Sequence, residues 1–238
     1  MIAVINCSPT KNGITSKMAD KYVERLGEQR DEVQYLALSD LDIGYCKGYQ
    51  TCFKVGLCPL DRRDDFLVLK NTMLEANTVV FLLPVFSHTV PGILKSVIDR
   101  LSYYEHFFGF AGRKAVVLAQ SNSNGIDECL SYMNKVVMYL GFELIRSEGI
   151  TILELDKKPD LLNTIINQQR EIITKAANQK ERKVTELQEQ VFIGLKSIVL
   201  NQEKHGHDSY KVKQWQKMRA FPTYKQYLNS LEMMESAN

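Results

Sequence analysis

Through residue 153 the sequence alternates short apolar runs with segments of helical periodicity. Residues 1–6 are apolar and end in the turn-forming Cys7-Ser8-Pro9-Thr10-Lys11-Asn12-Gly13. Residues 15–26 then put Met18, Tyr22, Val23 and Leu26 on one helical face. Residues 33–38 read as a second strand, and 78–86 as a continuous buried strand rich in β-branched side chains. A helix over 91–101 follows, with Pro91 suited to its first turn. Residues 114–120 form a fourth strand, 126–140 a helix closed by Gly141, and 142–153 a fifth strand. Strands separated by helices predict an α/β chain with a parallel sheet and helices on both faces. Right-handed crossovers restrict the connections further.

The remaining 83 residues differ in charge and pattern. Residues 1–155 carry 16 Lys and Arg against 18 Asp and Glu, and residues 156–238 carry 14 against 10. This places a boundary near Asp156, between a first domain over 1–155 and a helical C-terminal extension over 156–238. Apolar residues recur at helical spacing from Leu161 through Ile198, and no proline interrupts between Pro159 and Pro222. One or two long amphipathic helices follow, bent near Asn178 and broken at His205-Gly206-His207. Aromatic segments around Trp215 and Pro222 complete the extension, which is expected to serve dimerisation, with a lid as the alternative.

Composition excludes several classes. Of 238 residues, 45% are hydrophobic and 24% charged, ordinary for a globular protein and unlike collagen, mucins or disordered chains. Apolar runs such as 79–85 fall far short of the ~20 residues that cross a bilayer, so no membrane partner is expected. The net charge of +2 gives no general attraction to nucleic acid. Residues 1–6 lack the basic region of a secretion signal, and five cysteines, an odd number, suit reduced thiols. Cytoplasmic localisation is the expectation.

In doubly wound sheets ligands bind beyond the carboxyl ends of the strands, so the loops there carry the information. Five strands favour the flavodoxin-like order 2-1-3-4-5 over a six-stranded dinucleotide fold. The first loop offers Ser8, Thr10, Asn12, Gly13, Thr15 and Ser16 at a helix N-terminus, where unpaired N–H groups and the dipole favour an anion. It matches neither Gly-x-x-x-x-Gly-Lys-Ser/Thr nor Gly-x-Gly-x-x-Gly. A terminal phosphomonoester such as that of FMN suits it; a plain N-cap cluster is the alternative. The second loop, Pro84-Val85-Phe86-Ser87 running to Pro91-Gly92, makes a shelf for a flat ring, or a simple connection with a core Phe. His88 is either a donor to an oxygen or a surface residue. The third, Gln120 through Gly125, has amides and hydroxyls that suit a pyrimidine edge or an N-cap turn.

Residues 5–16, Ile-Asn-Cys-Ser-Pro-Thr-Lys-Asn-Gly-Ile-Thr-Ser, resemble the phosphate loop of NADPH-dependent FMN reductases, commonly Gly-Ser-Pro-Arg-x-x-Gly-Asn-Thr. Residues 84–100 are similar to that family's Pro-x-Tyr-x-x-x-x-Pro-x-x-Leu-Lys-x-x-x-Asp-Arg segment, at several spaced positions. The resemblance covers residues 1–153. It implies that Ser8, Thr10, Thr15 and Ser16 hold the FMN phosphate, that Pro84, Val85, Phe86 and Ser87 border the isoalloxazine ring, and that Ser121, Asn124 and Gly125 meet its far edge. It also implies NAD(P)H as co-substrate, a small-molecule acceptor such as a quinone, azo or nitro compound or activated C=C bond, and a homodimer or dimer of dimers. The chemistry would lie at flavin N5, with no catalytic side chain. Lys95, Asp99 and Arg100 would be architectural. Three positions depart from the pattern: Cys7 stands for a glycine, Thr10 for a frequent arginine with Lys11 as the substitute cation, and Phe86 for a frequent tyrosine.

Residues 40–65 resemble the cysteine-bearing insert of iron–sulfur flavoproteins and their cluster-free relatives. Cys46, Cys52 and Cys58 are spaced by five residues each time, whereas a four-iron cluster takes four thiolates in compact spacing. An ordered loop without metal is the expectation. Asp64-Asp65 reads as the start of the next helix. The alternative function is an electron carrier, flavodoxin-like or iron–sulfur, without its own NAD(P)H turnover.

Overall fold

The computed structural model describes residues 1–27, 32–179 and 182–235 of the chain, so the last three residues of the predicted extension lie outside it. In chain order the elements are β1 (Ile2–Asn6), α1 (Ile14–Gly27), β2 (Val33–Ala37), α2 (Thr51–Val55), α3 (Phe66–Glu75), β3 (Thr78–Pro84), α4 (Gly92–Glu105), β4 (Lys114–Ser121), α5 (Ile126–Tyr139) and β5 (Glu143–Thr151). Then come α6 (Ile152–Lys157), α7 (Leu161–Ala177), α8 (Glu186–Lys204), α9 (Tyr210–Trp215) and α10 (Tyr224–Glu235). The five strands form one parallel sheet in the order β2-β1-β3-β4-β5, as the alternation predicts.

The two-residue period of the strands divides the core. Ala3, Ile5 and Cys7, with Val79, Phe81 and Leu83, face one layer; Ile2 and Val4, with Val80 and Leu82, face the other. Burial on both faces is why these runs are apolar without alternation. Residues from α3, α4 and α5 fill the first layer, and Met18, Tyr22 and Leu26 of α1 fill the second.

The extension completes both layers. Leu162, Ile165, Ile166 and Ile173 of α7 pack beside α1, where Tyr22 donates to Gln169 Oε1 at 2.7 Å inside the core. The chain leaves α7 at Asn178, where the sequence predicts a bend, and crosses to the opposite layer. There Phe192, Trp215 and Tyr224 pack near Phe108. Trp215 Nε1 donates to His106 O and Tyr224 Oη to Gly141 O, both at 2.8 Å. Phe192, Trp215 and Tyr224 are therefore buried within this chain, and Tyr210, Phe221 and Tyr227 are half-buried. No helix among the described residues is long and apolar enough to cross a membrane.

Several predicted boundaries shift, α4 for instance running on to Glu105, and three of the shifts have a visible cause. β3 stops at Pro84 rather than at 86, because Phe86 and Thr89 bond to each other in a tight turn. Pro91 is the N-cap of α4, just outside its first turn. β5 stops at Thr151, whose side chain accepts from Glu154 N and starts α6.

A buried ion cluster fastens the cysteine-bearing segment 44–64 to α4. Arg100, 4% exposed, donates to Asp61 at 2.7 Å, to Asp64, and to Gly44 O at 3.1 Å, and its guanidinium lies 4.2 Å from the Phe66 ring centre. The two carboxylates accept in turn from Gly44 N, Cys58 N and Phe66 N. Asp64 thus opens α3, as predicted, and also pairs with Arg100 of α4 in the same layer. Burial works to raise its carboxyl pKa, but the hydrogen bonds from Arg100, Phe66 and Gly44 outweigh it and hold it below the usual value. Breaking a buried pair costs about 3–5 kcal/mol, so Arg100→Met should lower unfolding free energy by that amount at pH 7. A carboxylate held low stabilises above its ordinary pKa and loses that contribution as pH falls through the folded value. The gap between wild type and Arg100→Met, measured by urea titration, should therefore narrow below about pH 4.

Candidate functional site

Polar residues close two of the buried strands, β1 and β4, at one edge of the sheet. β1 ends in Asn6, 1% exposed, which donates to Ser16 Oγ and Tyr35 Oη at 3.0 Å and accepts from Ser8 N at 3.0 Å. These bonds fold residues 7–13 back over the first turn of α1. Ser8 Oγ donates to Thr10 O, and Ser16 Oγ donates to the same carbonyl at 2.6 Å. Thr15 Oγ1 reaches across the sheet to Gln120 Oε1, 3.1 Å away near the end of β4.

The hydroxyls therefore divide by task. Ser8, Thr15 and Ser16 are buried and hold the turn together, while Thr10 is exposed. What remains open to an anion is Thr10 and the N–H groups at the start of α1, which has no acidic residue in its first turn. Gly13 lets the turn close: a Cβ there would lie 2.6 Å from Thr10 Oγ1. Asn12 is exposed at the tip. Lys11 pairs with Asp40 at 2.6 Å, so the substitute cation expected for the phosphate has a carboxylate of its own.

Beside this turn lies a cavity of about 300 Å³, at the lower edge of ordinary ligand sites. Pro84, Val85, Phe86 and Ser87 line one side and Gln120, Ser121 and Asn124 the other, so the second and third predicted loops meet around one space. Val85 N donates to Gln120 O at 2.8 Å and joins the two walls. Phe86, 48% exposed, lies at the surface rather than in the core. Ser121 Oγ donates to Asn124 O and receives Ser123 N, which shapes the third loop. Gly125, φ 78°, sits under His88: a Cβ there would come within 3.0 Å of the His88 Cα and 3.1 Å of Val85 Cγ1.

The sequence reading did not single out Asn6, and it took Gln120 only as the first residue of the third loop, without its bond to Thr15. Their signal was a lone polar side chain ending an apolar strand.

All five cysteines are free thiols. Cys46 is exposed and its sulfur accepts from Gly48 N at 3.4 Å. Cys58 is half-buried and caps the turn Pro59–Arg62. Burial raises the half-buried Cys52 thiol, and Cys46 and Cys58 lie close enough for both to help raise it. Cys7 and Cys129 lie in the core, where burial pushes Cys129 up to about 11 and Cys7 further still. Among the described residues no group of three His, Cys, Asp or Glu side chains is placed to hold a metal ion.

The sequence model of the NADPH-dependent FMN reductase family matches residues 1–152. An iron-sulfur flavoprotein from Archaeoglobus fulgidus is 34% identical over 137 residues, 56% of this chain and 60% of that protein. The chain thus spans about three-fifths of the length of that relative. An FMN-dependent NADH:quinone oxidoreductase 2 from Bacillus cereus is 28% identical over 199 residues, 72% of this chain and 94% of that protein. The solved structure of a flavone reductase superposes with a TM-score of 0.60 at 16% identity, covering 77% of this chain and 65% of the other. That likeness is one of fold.

Gly125→Ala should destabilise the protein by about 1–2 kcal/mol, from the left-handed backbone and the contact with His88 together. Gly48→Ala, at φ 70° with nothing within 4 Å, carries the backbone penalty alone. Thermal unfolding of the two variants separates the terms: the Gly125 variant should melt lower.

Proposed function

The chain belongs to the NADPH-dependent FMN reductase family, and on that premise we propose that it is an FMN-dependent NAD(P)H oxidoreductase that reduces a small acceptor. The observation that carries the reading is the junction of the turn after β1 with the cavity between the loops after β3 and β4, made through Thr15 and Gln120. The donor set fits FMN. Thr10 and the N–H groups opening α1 would hold the phosphate, the Phe86 shelf would border the ring, and the Ser121–Gly125 loop would meet its polar edge. Bound FMN supplies a ring that accepts hydride from a nicotinamide and returns two electrons to an acceptor.

The chain's own residues do the positioning. Asn6 and Ser16 fix the turn before any ligand arrives, which limits the ordering cost of binding. Gln120 accepts from Thr15 through its side-chain oxygen and also lines the cavity. Exposed Phe86 offers a flat apolar face, which favours an aromatic or quinonoid acceptor. The acceptor classes are quinones, azo and nitro compounds, and activated C=C bonds. The names of the iron–sulfur relatives favour a second reading, an electron carrier. Three thiols on that segment, with two more sealed in the core, do not make its four-thiolate ligand set.

Purified protein titrated with FMN should bind it and show the oxidised flavin absorbance, and anaerobic NADH or NADPH should bleach that band. Retained colour with either nicotinamide, and bleaching only by a reduced protein partner, would establish the carrier instead.

A homodimer belongs to the same proposal. Tyr45, Tyr49, Val55 and Leu57 are each more than half exposed on one short segment, the apolar surface a second copy would cover. Light scattering should give twice the 27.3 kDa chain mass, and Tyr49→Asp with Leu57→Asp should shift it toward the monomer. A wild-type mass of one chain contradicts this.

A further inference from the structure

The turn beside the cavity is made from residues that resist its backbone. Ser87 and His88 have φ of 48° and 62°, and Phe86 and Thr89 bond across them at 2.8 and 3.0 Å. Two-residue turns with both central positions left-handed are ordinarily filled by Asn-Gly. Side chains with a Cβ disfavour that region, so the turn is less stable with His88 than with glycine.

The imidazole this places is half exposed and has neighbours on two sides. Its Nδ1 lies 3.8 Å from Glu128 Oε1 on the first turn of α5. The ring rests over Gly125, where a Cβ would come within 3.1 Å of Nδ1. Nε2 makes no hydrogen bond among the described residues. Asp127 is the other charged group on that turn of α5. On α4, Lys95 is taken up by Asp99 at 2.6 Å. Among the cavity-lining residues His88 alone carries an acid–base side chain, because the rest are Pro, Val, Phe, Ser, Gln and Asn.

We propose that His88, at the wall of this cavity, is the proton donor to an electron acceptor seated against the flavin ring that the cavity would hold. The inference rests on the flavin reductase reading above and narrows the acceptor class. Reducing a polarised double bond by hydride leaves one of its atoms to take a proton. The hydride comes from the nicotinamide by way of the cofactor. The imidazolium Nε2–H bond breaks, the proton goes to the acceptor atom that did not receive hydride, and the neutral imidazole regains a proton from water. Acceptors that consume a proton would depend on His88, and one-electron acceptors would not.

Reoxidation of the reduced, FMN-loaded protein by 1,4-benzoquinone and by ferricyanide tests this in wild type, His88→Gln and His88→Gly. The ratio of quinone to ferricyanide rate should fall about 10²-fold in both variants. In wild type the quinone step should slow as pH rises, because the donor must carry the proton it gives, and the variants should lose that dependence. The cofactor-free His88→Gly protein should unfold at the same temperature as wild type or higher. An unchanged quinone-to-ferricyanide ratio overturns the proposal, and a lower unfolding temperature for His88→Gly makes His88 structural and also overturns it. If wild type neither binds FMN nor is reduced by a nicotinamide, the flavin reading itself fails and takes the proposal with it.

Discussion

A hydrogen bond between residues 105 apart in sequence organises this molecule's candidate site. Thr15 opens the helix after the first strand, Gln120 stands near the end of the fourth, and their side chains meet at 3.1 Å beneath the ligand-facing edge. Both are nearly buried, so the bond forms away from water, where an unmade partner costs about 1–3 kcal/mol. With it in place the anion-ready turn and the ring-sized cavity share one frame. Asn6 secures the near side through three bonds, and the β3–β4 ladder secures the far side.

The frame rests on packing that the extension helps to supply. Helices from both ends of the chain cover the same sheet, and Tyr22 with Gln169 and Tyr224 with Gly141 satisfy polar atoms inside those layers. Rigidity behind the loops permits strain within them. A left-handed Ser-His pair and a glycine beneath the histidine persist because β3 and α4 hold the turn at both ends.

The fold was legible because its signals are local. Strands buried on both faces read as unbroken apolar runs, and the parallel order follows from the helices between them. The three loops were legible by position, since such sheets bind ligands at one edge. What escaped were pairings that span the chain. Nothing around Ser8, Thr15 and Ser16 reveals that their hydroxyls would turn inward and leave the helix N–H groups for a ligand. Nor does periodicity say which surface an amphipathic helix covers, so the return of the extension to both layers was hidden. The turn at 86–89 carried no Asn-Gly, and the strand was accordingly expected to run two residues further.

The central claim is that the start of the first helix anchors a phosphate. Affinities of the cofactor-free protein for FMN and for riboflavin, compared by fluorescence quenching, test it most directly, because the two differ only in that group. Charge-assisted hydrogen bonds of about 1.5–3 kcal/mol should make FMN at least tenfold tighter. Equal affinity for the two flavins would contradict the account.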